Sequence, residues 1–376
     1  MNKNFIHIIN DLRKGGTNNC FYKLLINTND KSDIICLNKK EFYYEKFINN
    51  GNKVYYLDSS SFVKFIKSLL KITYALKKAN RKLLNCWLYK SCFIGFFVSI
   101  IFKNKEIIWN IRHSETSFQL GRIKKYLLIK LCSICSNFKN INIIYNSYFA
   151  EKKHNQVGFK SKNINIIHNG FDTKKFNYVN RKLNFLKKYN IKKDFFIICM
   201  IGRYHPIKNH KILFKSISQI SNKFPKIHLF LAGRGINNTN LDLKKTIKAY
   251  NLENKVTLAG LLDDESLIET YSSSDLNVLT SLSESFPNVI GESMACSTPC
   301  LSFNVGDCEK LIGKTGWIIK KNNINYLNRA LAEVIEISKD KRKWGQIRKE
   351  CQLRIKMHFN SNIELKKYEN IYKNLI

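Results

Sequence analysis

Along this chain, short apolar runs alternate with longer stretches whose apolar positions recur every three or four residues. The runs are strand-length and the longer stretches are helical. In the first half the strand-like runs are Phe5–Asn10, Asp33–Leu37, Lys53–Leu57, Glu106–Ile111, Ile141–Asn146 and Asn163–Ile167. Helical patterns begin near Thr17 and cover Glu41–Asn49, Phe62–Lys78, Ser91–Phe102, Ile123–Asn137 and Ser147–Val157, with a short apolar piece at Cys86–Tyr89. Asn169-Gly170 marks a turn. The polar, basic stretch Asn177–Lys193 reads as a linker or a lead-in helix. A second set of strands follows at Phe195–Met200, Lys226–Leu231, Lys255–Ala259, Leu276–Leu279, Pro299–Phe303 and Trp317–Ile319, and the tail from Ile324 onward is helical. Strands alternating with helices of this length predict an α/β chain with parallel, doubly wound sheets.

A length of 376 residues favours two domains, and 44 % hydrophobic residues suffice for a core in each. The expected division is 1–175 and 190–355, each Rossmann-like, with 356–376 crossing back to the first. The formal net charge is +36. Nucleic acid is not the expected partner, because the excess is mostly Lys spread along the whole chain rather than a cluster of Arg suited to base readout. An anionic membrane surface would attract it, and a Lys-, Asn- and Ile-rich composition accounts for it equally. Lys64, Lys67, Lys71 and Lys78 repeat on one face of Phe62–Lys78, opposite Phe62, Phe65, Ile66, Leu69 and Leu70. Such a helix lies on a membrane or covers a core with a solvated basic face. Arg122, Lys124, Lys125 and Lys130 add a second basic helix.

Ser91–Phe102 is too short to span a bilayer and reads as a buried helix, with a membrane-dipping surface as the alternative. No long apolar leader follows Met1, so a cytoplasmic location is expected, with peripheral attachment to the inner face of the plasma membrane as an option. Most of the eleven Cys sit in apolar runs, and Cys132-x-x-Cys135 has no second pair at zinc spacing. Reduced structural thiols are expected.

The strongest chemical signal is LNVLTSLSESFPNVIGE, Leu276–Glu292. A strand runs through a polar turn into a helix, with Pro287 suited to its first turn and Ser285 a candidate cap. The helix start offers free N–H groups and a positive dipole end to a phosphate. Glu284 stands just before the helix and Glu292 inside it, so the two carboxylates can flank one ligand. Taken singly, they read equally as a dipole-favoured charge and a solvated helix residue. A second signal, IGRYHPIKNH (Ile201–His210), follows an apolar strand. Gly202 permits close approach at the strand's C-terminal end, and Arg203 and Lys208 place two cations on one loop. Fixed cations there would stabilise the charge developing on a departing diphosphate. Gly15-Gly16, between a strand and a helix, suits backbone contact with an anionic or hydroxylated ligand. His113, in WNIRHS at a strand end, could hydrogen-bond a sugar hydroxyl or carry a proton. There is no D-x-D motif to anchor a metal–diphosphate, and in Gly233-Arg234-Gly235 the third glycine of a dinucleotide fingerprint is replaced by Asn238.

Taken together, these segments resemble glycosyltransferase family 4. Glu284 and Glu292 look like its paired-Glu signature, and Gly202–Asn209 is similar to its G-R-x-x-x-x-K loop. LAGRG (Leu231–Gly235), LAGLLDD (Leu258–Asp264), SSSDLNVLTS (Ser272–Ser281), GESMACSTPCLSFNVGD (Gly291–Asp307) and HNGFD (His168–Asp172) resemble its other segments. The resemblance implies the GT-B fold, two Rossmann-like domains facing across a cleft. It implies a retaining enzyme that moves a sugar from a nucleotide-diphosphate sugar to a glycan or lipid-linked acceptor, without cofactor or metal. WNIRHS and Asn146-Ser147 look most like members that build bacterial surface polysaccharide. By the resemblance, Arg203 and Lys208 would bind the pyrophosphate, Glu292 the ribose and Glu284 the sugar. Gly202 and the helix start at Phe286, Asn288 and Val289 would line the donor site, Pro287 having no N–H to offer. Gly16 and His113 would close it from the first domain. VGDCEKL (Val305–Leu311) replaces the family's Gly-Gly-containing loop, which leaves donor preference open. The alternative on a similar scaffold is a sugar-nucleotide 2-epimerase.

Overall fold

A computed structural model describes residues 5–13, 15–38, 41–57, 61, 63, 64, 66, 67, 69, 70, 83–102, 106–114, 116, 123–138, 141–161 and 163–375, with the backbone alone for 101 and 102. The chain forms two units, Met1–Asn169 with Asn362–Ile376, and Gly170–Ser361. Each is built on one parallel sheet with helices on both faces.

The first sheet contains β1 (Phe5–Ile9), β2 (Asp33–Cys36), β3 (Val54–Tyr56), β4 (Leu83–Trp87), β5 (Glu106–Ile111), β6 (Ile141–Tyr145) and β7 (Asn163–Ile166), in the order β3-β2-β1-β4-β5-β6-β7. The central strands are buried on both faces, which explains their unbroken apolar runs. Along β1 the side chains alternate, Ile6 and Ile8 entering one core and Phe5 and Ile9 the other. Cys86–Tyr89 is not a separate piece: Leu83–Trp87 is a strand at the centre of this sheet, and helix Leu88–Phe102 starts directly after it.

The C-terminal helix Ser361–Leu375 buries Tyr368 and Tyr372 in the first unit's core. Asn85 donates to the Tyr372 hydroxyl at 2.6 Å, and the Tyr368 hydroxyl donates to Asn110 Oδ1 at 3.0 Å. A buried polar network between strands thus receives its partners from the far end of the chain.

The second sheet contains β8 (Phe196–Ile201), β9 (Ile227–Ala232), β10 (Val256–Leu258), β11 (Leu276–Leu279), β12 (Cys300–Phe303) and β13 (Trp317–Ile319), in the order β10-β9-β8-β11-β12-β13. Strand order reverses between β8 and β11, as it does between β1 and β4.

The chain leaves the first unit at Asn169, earlier than the expected boundary at 175. Asn177–Lys193 is no free linker. Helix Lys182–Lys188 buries Phe185 and Leu186 in the second core and leaves Leu183 exposed. The return begins at Asn362 rather than 356, since helix Lys341–His358 anchors Cys351 and Ile355 in the second unit.

Ser91–Phe102 is buried on one side only. Cys92, Phe96 and Val98 enter the core, whereas Phe97 and Ile100 face solvent. Much of Phe62–Lys78, including Lys71 and Lys78, and also Arg122, lies outside the described residues. Within its described part, Leu69 is buried, while Ile66 and Leu70 are exposed alongside Lys64 and Lys67. Among the described residues no helix is long and apolar enough to cross a membrane. All eleven cysteines are unpaired thiols, ten of them buried.

Candidate active site

In open α/β sheets, ligands bind beyond the C-terminal ends of strands where the order reverses. In the second unit that place lies past β8 and β11, and the two strongest motifs occupy it. The loop after β8 makes a 3-10 turn at Pro206–Lys208, capped by His205, whose Nδ1 accepts from the Ile207 N–H at 3.2 Å. Asn209, left-handed at φ 54°, then turns the chain into helix His210–Ile220. Two contacts fasten this loop to the segment after β11. The Thr280 hydroxyl lies 3.1 Å from both the Lys208 and Asn209 carbonyl oxygens, and the Leu282 N–H donates to Ile207 O at 2.8 Å.

The result is an ion pair, Lys208 Nζ to Glu284 Oε1 at 2.6 Å, with side chains 18 % and 17 % exposed. Lys208 runs along Gly202, where a Cβ would meet its methylenes at 3.5–3.8 Å, an ordinary van der Waals contact. Arg203 is exposed on the same loop. Two close backbone approaches shape the surroundings. Gly233, at φ 142°, has no room for a Cβ against Gly202 O. Gly306, at φ 57°, would place a Cβ 2.5 Å from Ser285 O and 2.7 Å from Glu284 O. Glycine is required at both because the left-handed backbone and the contact each exclude a side chain.

The helix after Glu284 runs Asn288–Ala295, and Pro287 is its N-cap rather than its first helical residue. Ser285 is not the N-cap residue, because Pro287 takes that place. Proline fixes the entry while the first N–H groups of the helix remain outside the ladder. Phe286 is buried, stacked 6.0 Å from Phe171, and Val289 packs partly against the core. Asn288 is half-buried at the helix start, and the Val289 carbonyl accepts from Asn277 Nδ2 at 3.0 Å. Glu292 Oε2 accepts from the Tyr271 hydroxyl at 3.5 Å. Burial, and then the nearby Glu292 charge, hold the Tyr271 phenol well above its ordinary range, so it stays a neutral donor.

Gly16 and His113 belong to the first unit. Gly16 is the exposed first residue of helix Gly16–Asn27 beyond β1, and His113 is exposed beyond β5. Their neighbour Arg112 carried no weight in the sequence, yet it is the buried hub of that corner. Its guanidinium donates to Tyr368 OH at 3.0 Å, Ile167 O at 3.3 Å and Asn169 Oδ1. Tyr271 and Thr280 were also missed, since both stand in ordinary core positions. Thr280 lies within the motif that points to the site, and that position was its only signal.

Residues 182–350 match the Glycosyl transferases group 1 family. The chain is 25 % identical to the capsular polysaccharide biosynthesis glycosyltransferase CapM of Staphylococcus aureus, over 83 % of its own length and 81 % of CapM. It superimposes on HepE of Anabaena with a TM-score of 0.84 at 17 % identity, covering 98 % of this chain and 99 % of HepE. This protein is a GT-B glycosyltransferase. A shorter match, 30 % identical over 38 % of the enzyme's chain, links it to the mannosylfructose-phosphate synthase of Agrobacterium fabrum, of which it covers 33 %. In the glycosyltransferase, the matched segment contains every site residue placed in the second unit, from Gly202 to Glu292.

Proposed function

We propose that this glycosyltransferase moves a sugar from a nucleotide-diphosphate sugar to a hydroxyl of a glycan or lipid-linked acceptor, with retention and without a metal ion, in assembly of bacterial surface polysaccharide. The observation that carries the reading is the Lys208–Glu284 pair at the strand-order reversal, with Arg203 on the same loop. HepE was solved with UDP and with UDP-glucose, and CapM is named for capsular polysaccharide; both support the donor and acceptor classes.

In this reading the donor phosphates take Lys208 from Glu284, and Glu284 turns to the sugar hydroxyls. Arg203 adds the second cation, and the N–H groups of Phe286, Asn288 and Val289 donate to the distal phosphate. Gly202 lets the phosphates approach the backbone, and Glu292 holds the ribose. The bond from C1 to the diphosphate oxygen breaks with its electrons passing to the diphosphate. The acceptor oxygen bonds C1 on the same face, and its proton passes to the departing phosphate oxygen. Arg203 and Lys208 neutralise the charge as it develops, so the cationic side chains do the work of a metal. In the first unit, Gly16 offers backbone contact to an anionic or hydroxylated ligand and His113 a hydrogen bond to a sugar hydroxyl. Net charge of +36 draws the enzyme to the anionic inner face of the plasma membrane, where lipid-linked acceptors reside.

Incubation with a panel of nucleotide-sugars, monitored for free nucleoside diphosphate, tests the reading. Lys208→Ala and Glu292→Ala should each weaken donor binding. Unchanged donor affinity in both variants refutes the assignment, and proton exchange at sugar C2 without acceptor would establish the epimerase instead.

A further inference from the structure

We propose that the outward side of helices Leu88–Phe102 and Ile123–Cys135 in the first unit is a surface that inserts into an anionic lipid bilayer. In Ile123–Cys135 the inner face is ordinary: Ile129, Cys132 and Cys135 are buried. The opposite face should then be polar, and it is apolar. Leu127, Leu131 and Ile134 are 55 %, 45 % and 65 % exposed, and Phe138, just past the helix, is 55 % exposed. Their spacing of four, three and four residues sets them in one row. Helix Leu88–Phe102 adds Phe97 and Ile100, exposed by 47 % and 58 %. The Phe96 and Phe138 rings lie 5.0 Å apart, and Phe96 touches Phe97, so the two rows adjoin. An apolar surface that spans two helices is a contact surface rather than scattered exposure.

Charge identifies what covers it. Residues 88–102 and 123–138 contain no Asp or Glu, whereas Lys90 and Lys124 stand beside the apolar rows. Lys90 and Lys124 are exposed. A second copy of the same face would bring like charges together in any two-fold contact. Apolar side chains rimmed by lysine match acyl chains below anionic headgroups, with the ammonium groups at headgroup depth. This surface draws on none of residues 62–78, and it needs neither the donor site nor the proposed reaction.

The full-length protein is sedimented with vesicles of phosphatidylcholine alone and of phosphatidylcholine with phosphatidylglycerol, at low and high salt. The wild type should prefer the anionic vesicles and keep part of its binding at high salt, because the apolar contribution is not screened. Leu127→Glu/Ile134→Glu should weaken partitioning about tenfold or more at both salts. Lys90→Glu/Lys124→Glu should erase the preference for anionic lipid and spare the salt-resistant part. Thermal midpoint and affinity for UDP, read on the same samples, should not change, because all four positions are on the surface of the first unit. Wild-type vesicle binding by Leu127→Glu/Ile134→Glu overturns the proposal. So does a wild-type dimer that this variant converts to monomer while neither protein binds vesicles. Absence of UDP affinity in the wild type would instead count against the donor assignment and leave the surface standing.

Discussion

Glu284→Gln separates nucleotide binding from transfer. In the free enzyme Lys208 is held by Glu284 at 2.6 Å, so an incoming diphosphate must compete with a carboxylate for it. Both side chains keep nearly a fifth of their surface in water, and solvent screening limits the net worth of such a pair to about 1 kcal/mol. Glutamine has the same shape without the charge, and leaves Lys208 available. The dissociation constant for UDP, measured by titration calorimetry, should therefore fall about fivefold, the equivalent of that 1 kcal/mol. Transfer, followed as release of free UDP, should fall about 100-fold, because the carboxylate assigned to the sugar is gone. The gain in affinity should shrink as salt rises. Lys208→Met should move UDP affinity the other way, by about tenfold or more, as one charge-assisted contact is lost. The reasoning fails if Glu284→Gln binds UDP more weakly than wild type, since the carboxylate would then support the nucleotide directly.

Burial pushes His154 and His210 down to about 4 from 6.5. Below pH 6.5 the unfolded chain takes up protons that the folded chain refuses, so stability is complete above that pH and is lost as pH falls toward 4. Thermal midpoints measured across this window should drop, at up to about 1.4 kcal/mol per pH unit for each histidine; a flat profile would refute it. Gly291→Ala would drive a methyl into the Phe171 ring, against the helix that carries Glu292. Denaturant titration should show a loss of about 1–3 kcal/mol, and a smaller loss would mean that the ring moves freely. Arg112→Met removes the donors serving Tyr368, Ile167 and Asn169. It should destabilise the first unit by about 3 kcal/mol, read as lost hydrogen-exchange protection in Ser361–Leu375.

The parallel sheets were legible because central strands buried on both faces must be apolar throughout, which is a local property. Helix starts were legible where a side chain supplies the cap, as Ser147 does for the Ala150 N–H. Strand Leu83–Trp87 was missed because Asn85 interrupts its apolar run, and its partner Tyr372 is 287 residues away. The burial of Phe185 in the second unit was likewise invisible in a stretch rich in Lys and Asn.

The site divides in the same way. By itself the sequence singled out two candidate segments, because a glycine and two cations follow one strand-like run and two carboxylates follow another. Only the tertiary structure decided that Lys208 would meet Glu284, 76 residues further on. It also decided that Glu292 would face Tyr271, and that a row of leucine and isoleucine would turn outward rather than inward. Periodicity is written in neighbouring residues, but which face meets water depends on what packs against it, and sequence spacing does not encode that.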